Sequence, residues 1–412
     1  MIKDRMYPRF ALYGFLKNLR FFEPFLILFF LQQGISYFQI GVLYAIREIL
    51  TNLLEIPSGF MADIFGRKKA MLFSFSAYII SFLIFSLATG FGLFAVAMFW
   101  FACGEAFRSG THKALILAHL RLNGRLAEKL NYYGHTRAAS QAGSALNSLL
   151  AAALVFYTGN YRYIFLAAVV PYLLDLMNLA NYPAELDEAC QSKEKIKFFL
   201  KDYATSFLVI FKHSQNRQVF LNSSIFSGCF KASKDYLQPV LKAWALSLPV
   251  LMVYSTEQRS AVIIGIVYFC IYLLTVTASV RAEKFTSLFQ SAKQAMNITF
   301  IIGAITLLMA GVMLQIELPI IAILALMILF MLQNFRRPVN VHLLSETIPA
   351  NLMASGFSAE TQLSTIVTAV FALILGYLAD IFSVAVALSV SGAILGVLYL
   401  IAKMRSYENL VK

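Results

Sequence analysis

Gly59-Phe-Met-Ala-Asp63-Ile-Phe-Gly66-Arg67-Lys68-Lys69-Ala-Met-Leu-Phe-Ser-Phe-Ser-Ala-Tyr-Ile-Ile-Ser-Phe-Leu-Ile-Phe-Ser-Leu-Ala-Thr89 is the stretch on which the reading of this chain turns. It opens as a short polar loop with three consecutive cations and runs into 70–89, which holds no charged residue. A helix that crosses the hydrocarbon layer needs about 20 mainly apolar residues, and 70–89 is such a segment. Cations massed at one end of a span hold that loop in the cytoplasm.

The pattern recurs outward from there. Hydropathy predicts spans near 10–32, 39–60, 70–89, 92–116, 133–157 and 162–182, then near 217–240, 260–280, 292–314, 318–338, 354–379 and 384–403. The 412 residues are 59% hydrophobic and 13% charged, and the mean hydropathy is +0.72. Soluble domains lie nearer half apolar and a quarter charged, so a water-soluble fold is excluded. The expectation is an all-α membrane protein of about 12 transmembrane helices. It divides into a six-helix bundle over 1–183, a basic cytoplasmic linker over 184–216 and a second six-helix bundle over 217–412.

Lys3, Arg5 and Arg9 precede the first span with no small-residue cleavage site after it, so that span is expected to be retained. With both termini in the cytoplasm, 24 of the 34 lysines and arginines fall in inner segments, Arg336 and Arg337 among them, against Arg162, Lys242 and Arg259 outside. One missed span would invert every later loop, so the asymmetry argues for count and orientation together. It also explains the net charge of +13 without nucleic acid. The four cysteines, Cys103, Cys190, Cys229 and Cys270, are scattered, and neither a disulfide framework nor a metal or other cofactor is expected. Lys195–Lys212 in the linker reads either as an interfacial amphipathic helix or as a helix filling the space beneath the second bundle.

The loop after the second span, Gly59-x-x-x-Asp63-x-x-Gly66-Arg67-Lys68, resembles the signature loop of the major facilitator superfamily, Gly-x-x-x-Asp-x-x-Gly-Arg-Lys/Arg, and stands between the same two helices. The resemblance implies two pseudo-symmetric bundles working by alternating access, with Gly59, Asp63, Gly66 and Arg67 latching the cytoplasmic gate. Gly59 and Gly66 permit close approach and a tight turn. Asp63 can pair with Arg67 or cap a neighbouring helix. A second copy, Gly376-Tyr-Leu-Ala-Asp380, lies at the outer end of the eleventh span. Under nested inverted repeats Asp380 belongs to the opposite gate, and the alternative is a plain helix cap. Two family features are missing. The helix 5 antiporter signature would fall on 143–152, where only Gly143 remains, and the fourth span offers Trp100, Glu105 and Arg108 in place of the usual arginine.

Ionisable groups inside the spans are costly and persist where they face a cavity or a partner. The first span carries Lys17, Arg20 and Glu23, the second Arg47, Glu48 and Glu55, the fourth Glu105 and Arg108, the sixth Asp175, and the seventh Lys231, Lys234 and Asp235. In the family that this chain resembles, spans one, four, seven and ten line the path. Helical spacing pairs Arg20 with Glu23, Glu105 with Arg108 and Lys231 with Asp235, which is also what purely structural ion pairs would do. The expected assignment gives anionic substrate groups to Arg20, Arg108, Lys231 and Lys234, and cationic groups or a proton to Glu23, Glu105 and Asp235. Glu23 and Glu105 are the proton-coupling candidates.

Gln238-Pro239 and Arg337-Pro338 are expected to stop the seventh and tenth helices rather than kink them. His112, His119 and His135 cluster around one loop, either as pH sensors or as ordinary interfacial residues, and the 37 phenylalanines are expected mostly to face lipid. No Walker-type loop calls for ATP. The reading is a proton-coupled secondary transporter of a small polar, zwitterionic or amphipathic solute, with export as a direction open to it, monomeric in the inner cell membrane, with the bilayer and its substrate as partners. The alternatives are a transport-inactive sensor, supported by the eroded helix 5 motif, and a membrane-embedded enzyme, for which no catalytic motif stands at an interface.

Overall fold

The computed structural model describes residues 4–187, 214–348 and 353–404, and these are helical with no strand among them. The helices of the first half are α1 (Met6–Leu16), α2 (Leu26–Gln32), α3 (Tyr37–Phe65), α4 (Arg67–Leu87), α5 (Phe91–Arg108), α6 (Thr111–Leu122), α7 (Lys129–Thr158) and α8 (Tyr163–Ala180). Then follow α9 (Ser214–Ser233), α10 (Leu237–Ser247), α11 (Thr256–Val280), α12 (Ala282–Thr286), α13 (Ala292–Gln315), α14 (Pro319–Thr347), α15 (Met353–Ile381) and α16 (Val384–Ala402). The linker segment Lys195–Lys212 and Cys190 lie outside the described residues.

Nine helical stretches among the described residues are long and apolar enough to cross a membrane. The other three predicted spans differ for physical reasons. The first is broken between α1 and α2, and the seventh between α9 and α10 by a 3₁₀ turn at Lys234–Tyr236. α3 is continuous but carries Arg47, Glu48 and Glu55. The first break, 17–25, contains Pro24, and the turn at Lys234–Tyr236 lies just before Pro239. A proline removes the hydrogen bond to residue i−4 and its ring crowds that carbonyl; the carbonyls concerned belong to Arg20 and Asp235. Pro239 therefore does not end the seventh helix as expected but loosens the turn before it. Pro338 does not stop α14, which runs on to Thr347.

The chain separates into two compact units. The first contains 4–35, 46–187 and 245–272, and the second contains 36–45, 214–244, 273–348 and 353–404. Inside the first unit the phenylalanines form a core, contrary to their expected place against lipid. Phe22 stacks on Phe165 at 5.3 Å, and Phe29, Phe30, Phe85 and Phe94 are buried around them. Ring pairs with centroids 4.5–7 Å apart contribute beyond their buried area. The second unit has an aliphatic cluster that includes Val219, Met296, Leu343 and Leu344.

One end of the first unit is fastened through Asp4. Its carboxylate accepts from the Met6 and Tyr7 amides, from the Tyr132 hydroxyl at 2.9 Å and from Arg125 Nη1 at 2.9 Å, and it lies 2.8 Å from His119 Nε2. His112 stacks on Tyr13 at 3.6 Å and His135 on Tyr7 at 4.1 Å, so the three histidines pack against the first helix. Burial pushes the Asp4 carboxyl up, but hydrogen bonds from His119, Tyr132 and the Tyr7 amide outweigh it and hold the group below its ordinary value. A carboxylate lowered on folding stabilises above its unfolded pKa of about 3.9 and loses that contribution as pH falls through the lower folded value. The anisotropy of a dye on an Arg5→Cys variant should therefore stay high above about pH 4 and fall below it. With Asp4→Ala added, it should be low at every pH.

Candidate functional site

The break between α1 and α2 sets Arg20 among three other helices. Arg20 Nη2 meets Glu105 Oε1 of α5 at 2.6 Å, and Glu105 Oε2 meets Arg108 Nη2 at 2.6 Å, so one carboxylate bridges two guanidiniums. Tyr78 Oη of α4 accepts from Arg108 Nε at 3.0 Å and from Arg20 Nη2 at 3.3 Å. Tyr172 Oη of α8 accepts from Arg20 Nε at 2.8 Å and donates to the Lys17 carbonyl. Asn147 of α7 donates to the Arg20 carbonyl, so the backbone freed by the break is satisfied by side chains. Glu23 Oε1 lies 3.6 Å from Arg20 Nη1, and its other oxygen accepts from Tyr272. The side chains of Arg20, Glu105 and Arg108 are 14%, 21% and 23% exposed, and that of Glu23 is 36% exposed.

Sequence spacing paired Glu105 with Arg108, which holds, but missed that Glu105 also receives Arg20. That contact joins residues 85 apart in the chain. The two tyrosines were missed as well. In a chain with 20 tyrosines a hydroxyl that completes an arginine has no distinguishing sequence mark. Asp175, fully buried in α8, is met by Asn178 Nδ2 at 3.2 Å, and Arg47 pairs with its neighbour Glu48 at 2.9 Å. Gly143, left from the helix 5 signature, faces the Phe15 carbonyl, which a Cβ there would meet at 2.5 Å.

The second unit corrects the expected pairing of Lys231 with Asp235. The 3₁₀ turn takes the two off one helical face, and Asp235 instead pairs with Lys234 at 2.9 Å and accepts from Tyr44 at 3.1 Å. Lys231 lines a cavity with α14 and α15. Arg336 is not a loop cation. At 3% exposure it lies inside the bundle, donating to Asn222 Oδ1 at 2.7 Å and Thr299 Oγ1 at 2.8 Å, with its guanidinium 4.0 Å from the Phe226 ring.

The two copies of the Gly-x-x-x-Asp motif are built differently. Arg67 lies 3.6 Å from Asp63, whose side chain is 57% exposed. The carboxylate at the start of α4 is that of Asp187, which accepts the Lys68 amide at 2.8 Å. Gly66 allows this seat: its φ is +105°, and a Cβ there would lie 2.2 Å from Asp187 Oδ1. Gly59 makes no comparable approach, since no described atom lies within 4 Å of its Cβ position. At the second copy, Asp380 accepts the amides of Tyr37 and Phe38, both at 2.8 Å, and so caps α3 from α15. Gly376 lets the helices meet, because a Cβ there would come 2.4 Å from the Tyr37 carbonyl. Ser36 and Gln39 add a reciprocal capping box.

The family model of the Major Facilitator Superfamily matches residues 12–363. The chain belongs to the Major Facilitator Superfamily. As a member it is a multi-pass membrane transporter and not an enzyme. The uncharacterized MFS-type transporter YxaM of Bacillus subtilis (strain 168) is 30% identical over 90 residues, a stretch covering 22% of this chain and 23% of that relative. The fold matches the crystal structure of the nucleoside transporter NupG with a TM-score of 0.76 at 11% identity, over 97% of this chain and 98% of that one. It also matches a POT family transporter crystallised with 5-aminolevulinic acid, with a TM-score of 0.73 at 17% identity, over 96% of this chain and 95% of that one.

Two outcomes test this geometry. Glu105→Gln leaves two arginines without their shared counter-charge and should destabilise the protein by roughly 3–5 kcal/mol, whereas Tyr78→Phe should cost about 1 kcal/mol, both read from denaturant unfolding in detergent. Asp380→Ala removes two accepted amides from the start of α3. It should cost about 1 kcal/mol and speed hydrogen exchange at Tyr37 and Phe38, leaving the Ser36–Gln39 box in place.

Proposed function

We propose that this Major Facilitator Superfamily member is a proton-coupled secondary transporter that moves a small polar, zwitterionic or amphipathic solute by alternating access. Nine spans, two spans broken at charged turns and the charged α3 support a twelve-span count in two six-helix bundles with a basic linker. The distribution of lysine and arginine supports cytoplasmic termini. Arg20, Glu23, Glu105 and Arg108, with Lys231, Lys234 and Asp235, are the substrate-binding residues of this reading.

The observation that carries it is the bridging of Glu105 by Arg20 and Arg108 at a helix break, with Glu23 3.6 Å from Arg20 alongside. A discontinuous helix at membrane depth with backbone and charge turned inward is how transporters of this kind build a solute site. The geometry ranks the two proton candidates. Glu105 is locked by two guanidiniums at 2.6 Å, whereas Glu23 is the more exposed and lies 3.6 Å from Arg20. A solute carboxylate that takes Arg20 from Glu23 leaves Glu23 to bind a proton, which couples the two events. Asp63 with Arg67 serves the cytoplasmic gate, with Gly66 admitting Asp187 beside them, and Asp380 serves the outer one. Export is the direction we favour, in the inner membrane and as a monomer.

In proteoliposomes with an imposed pH gradient, pooled amino acids, dipeptides, nucleosides and amphipathic drugs should include a solute whose movement follows the gradient. Glu23→Gln should uncouple that movement from the gradient while leaving solute exchange, and the Glu105→Gln, Arg108→Gln double variant should abolish both. Binding of a pooled solute in detergent with no movement under any gradient would instead establish a transport-inactive sensor.

A further inference from the structure

A cavity of about 450 Å³ opens among α9, α14 and α15 in the second unit. Its wall carries three cations, Lys231, Arg336 and Arg337, against the single carboxylate of Glu360. Glu360 is not spent on Lys231 or Arg336 among the described residues. Glu360 Oε1 is taken by neutral donors, Ser223 Oγ at 2.6 Å and Asn340 Nδ2 at 3.4 Å. Among the described residues neither Lys231 nor Arg336 forms an ion pair. Arg336 is anchored by Asn222 and Thr299, so its charge contributes to the cavity as a fixed field, and Lys231 is the movable cation.

The same wall holds unused hydrogen-bonding capacity. Gln333, Asn340 and Ser364 all line the cavity. Gln333 Oε1, Asn340 Oδ1 and Ser364 Oγ are buried with no hydrogen-bond partner among the described residues. Buried polar atoms are nearly always satisfied, and three unsatisfied oxygens on the wall of one cavity point to a ligand that donates to them when a side chain turns inward. Phe230 and Phe357 supply apolar wall beside these polar groups.

We propose that this cavity binds a small organic anion that also bears hydroxyl or N–H groups, its anionic group at Lys231 and its donors at Gln333, Asn340 and Ser364. Glu360 keeps one ligand donor oriented and rejects a second negative group near Ser223. The proposal deepens the transport reading by naming the charge class of the solute. Its test needs no transport, so either can fail alone.

Ser227→Cys and Thr361→Cys, introduced singly into the full chain with Cys103, Cys190, Cys229 and Cys270 replaced, place a thiol on the wall at a half-buried and an exposed position. Each is modified in detergent with anionic sulfonatoethyl methanethiosulfonate and with its cationic trimethylammonium analogue. A positive wall raises the thiolate fraction equally for both reagents, so the ratio of their rates, divided by the ratio for a free thiol, isolates the attraction for charge. The normalised ratio should favour the anion at both positions and fall roughly three- to tenfold with Lys231→Gln. A ratio at or below one at both positions, or one that Lys231→Gln leaves unchanged, overturns the proposal. So does failure of both thiols to react with either reagent, because no solute then enters.

Discussion

Charge removed from water needs a partner, and most of this structure follows from how that requirement is met. An isolated ion in a low-dielectric interior is so unfavourable that a chain carrying Lys17, Arg20, Glu23, Glu105, Arg108 and Asp175 within or beside apolar spans must bring partners to them. The same holds for backbone groups released where a helix breaks. At the break after α1 the two demands coincide. The carbonyl of Lys17 takes the Tyr172 hydroxyl, that of Arg20 takes the Asn147 amide, and the Arg20 side chain is held by Glu105, Tyr78 and Tyr172. Helices α4, α5, α7 and α8 are thus positioned around one turn of irregular chain, and the phenylalanine core packs beyond it.

The two units answer the requirement differently. In the first, Arg20, Glu105 and Arg108 are neutralised by one another and held by the hydroxyls of Tyr78 and Tyr172. Such a network is weak support for stability in itself. In the second, among the described residues, Arg336 is satisfied by neutral groups alone, Lys231 has no anionic partner, and amide and hydroxyl oxygens remain unused. Capacity is left on the wall rather than consumed within it.

Helix termini follow the same electrostatics. The unsatisfied amides at a helix start attract a carboxylate, and three starts have one: Asp4 at α1, Asp187 at α4 and Asp380 at α3. Glycine makes the last two seats, through the positive φ of Gly66 and the close approach at Gly376. The motif spacing made Asp63 and Asp380 stand out in the sequence, but Asp187 belongs to no pattern. It is an isolated acid after α8 that only the folded chain delivers to Gly66.

Most of the architecture was legible in the sequence, because the apolar length needed to cross a bilayer and the massing of cations in alternate loops are local properties. The loop from Gly59 to Lys69 named the family for the same reason. Glu360 was legible too and was overlooked, since a lone acid in the span 354–379 meets the criterion that flagged Glu105. What the sequence by itself determined is therefore the helical membrane class, the family and the set of buried charges. Tertiary structure alone decided which charge meets which: Arg20 with Glu105, Lys234 rather than Lys231 with Asp235, and Arg336 with Asn222. It also decided that Pro24 and Pro239 break helices where Pro338 does not. Spacing along a helix ranks only neighbours three or four residues apart, whereas these pairings join distant helices, whose approach depends on the packing of every side chain between them.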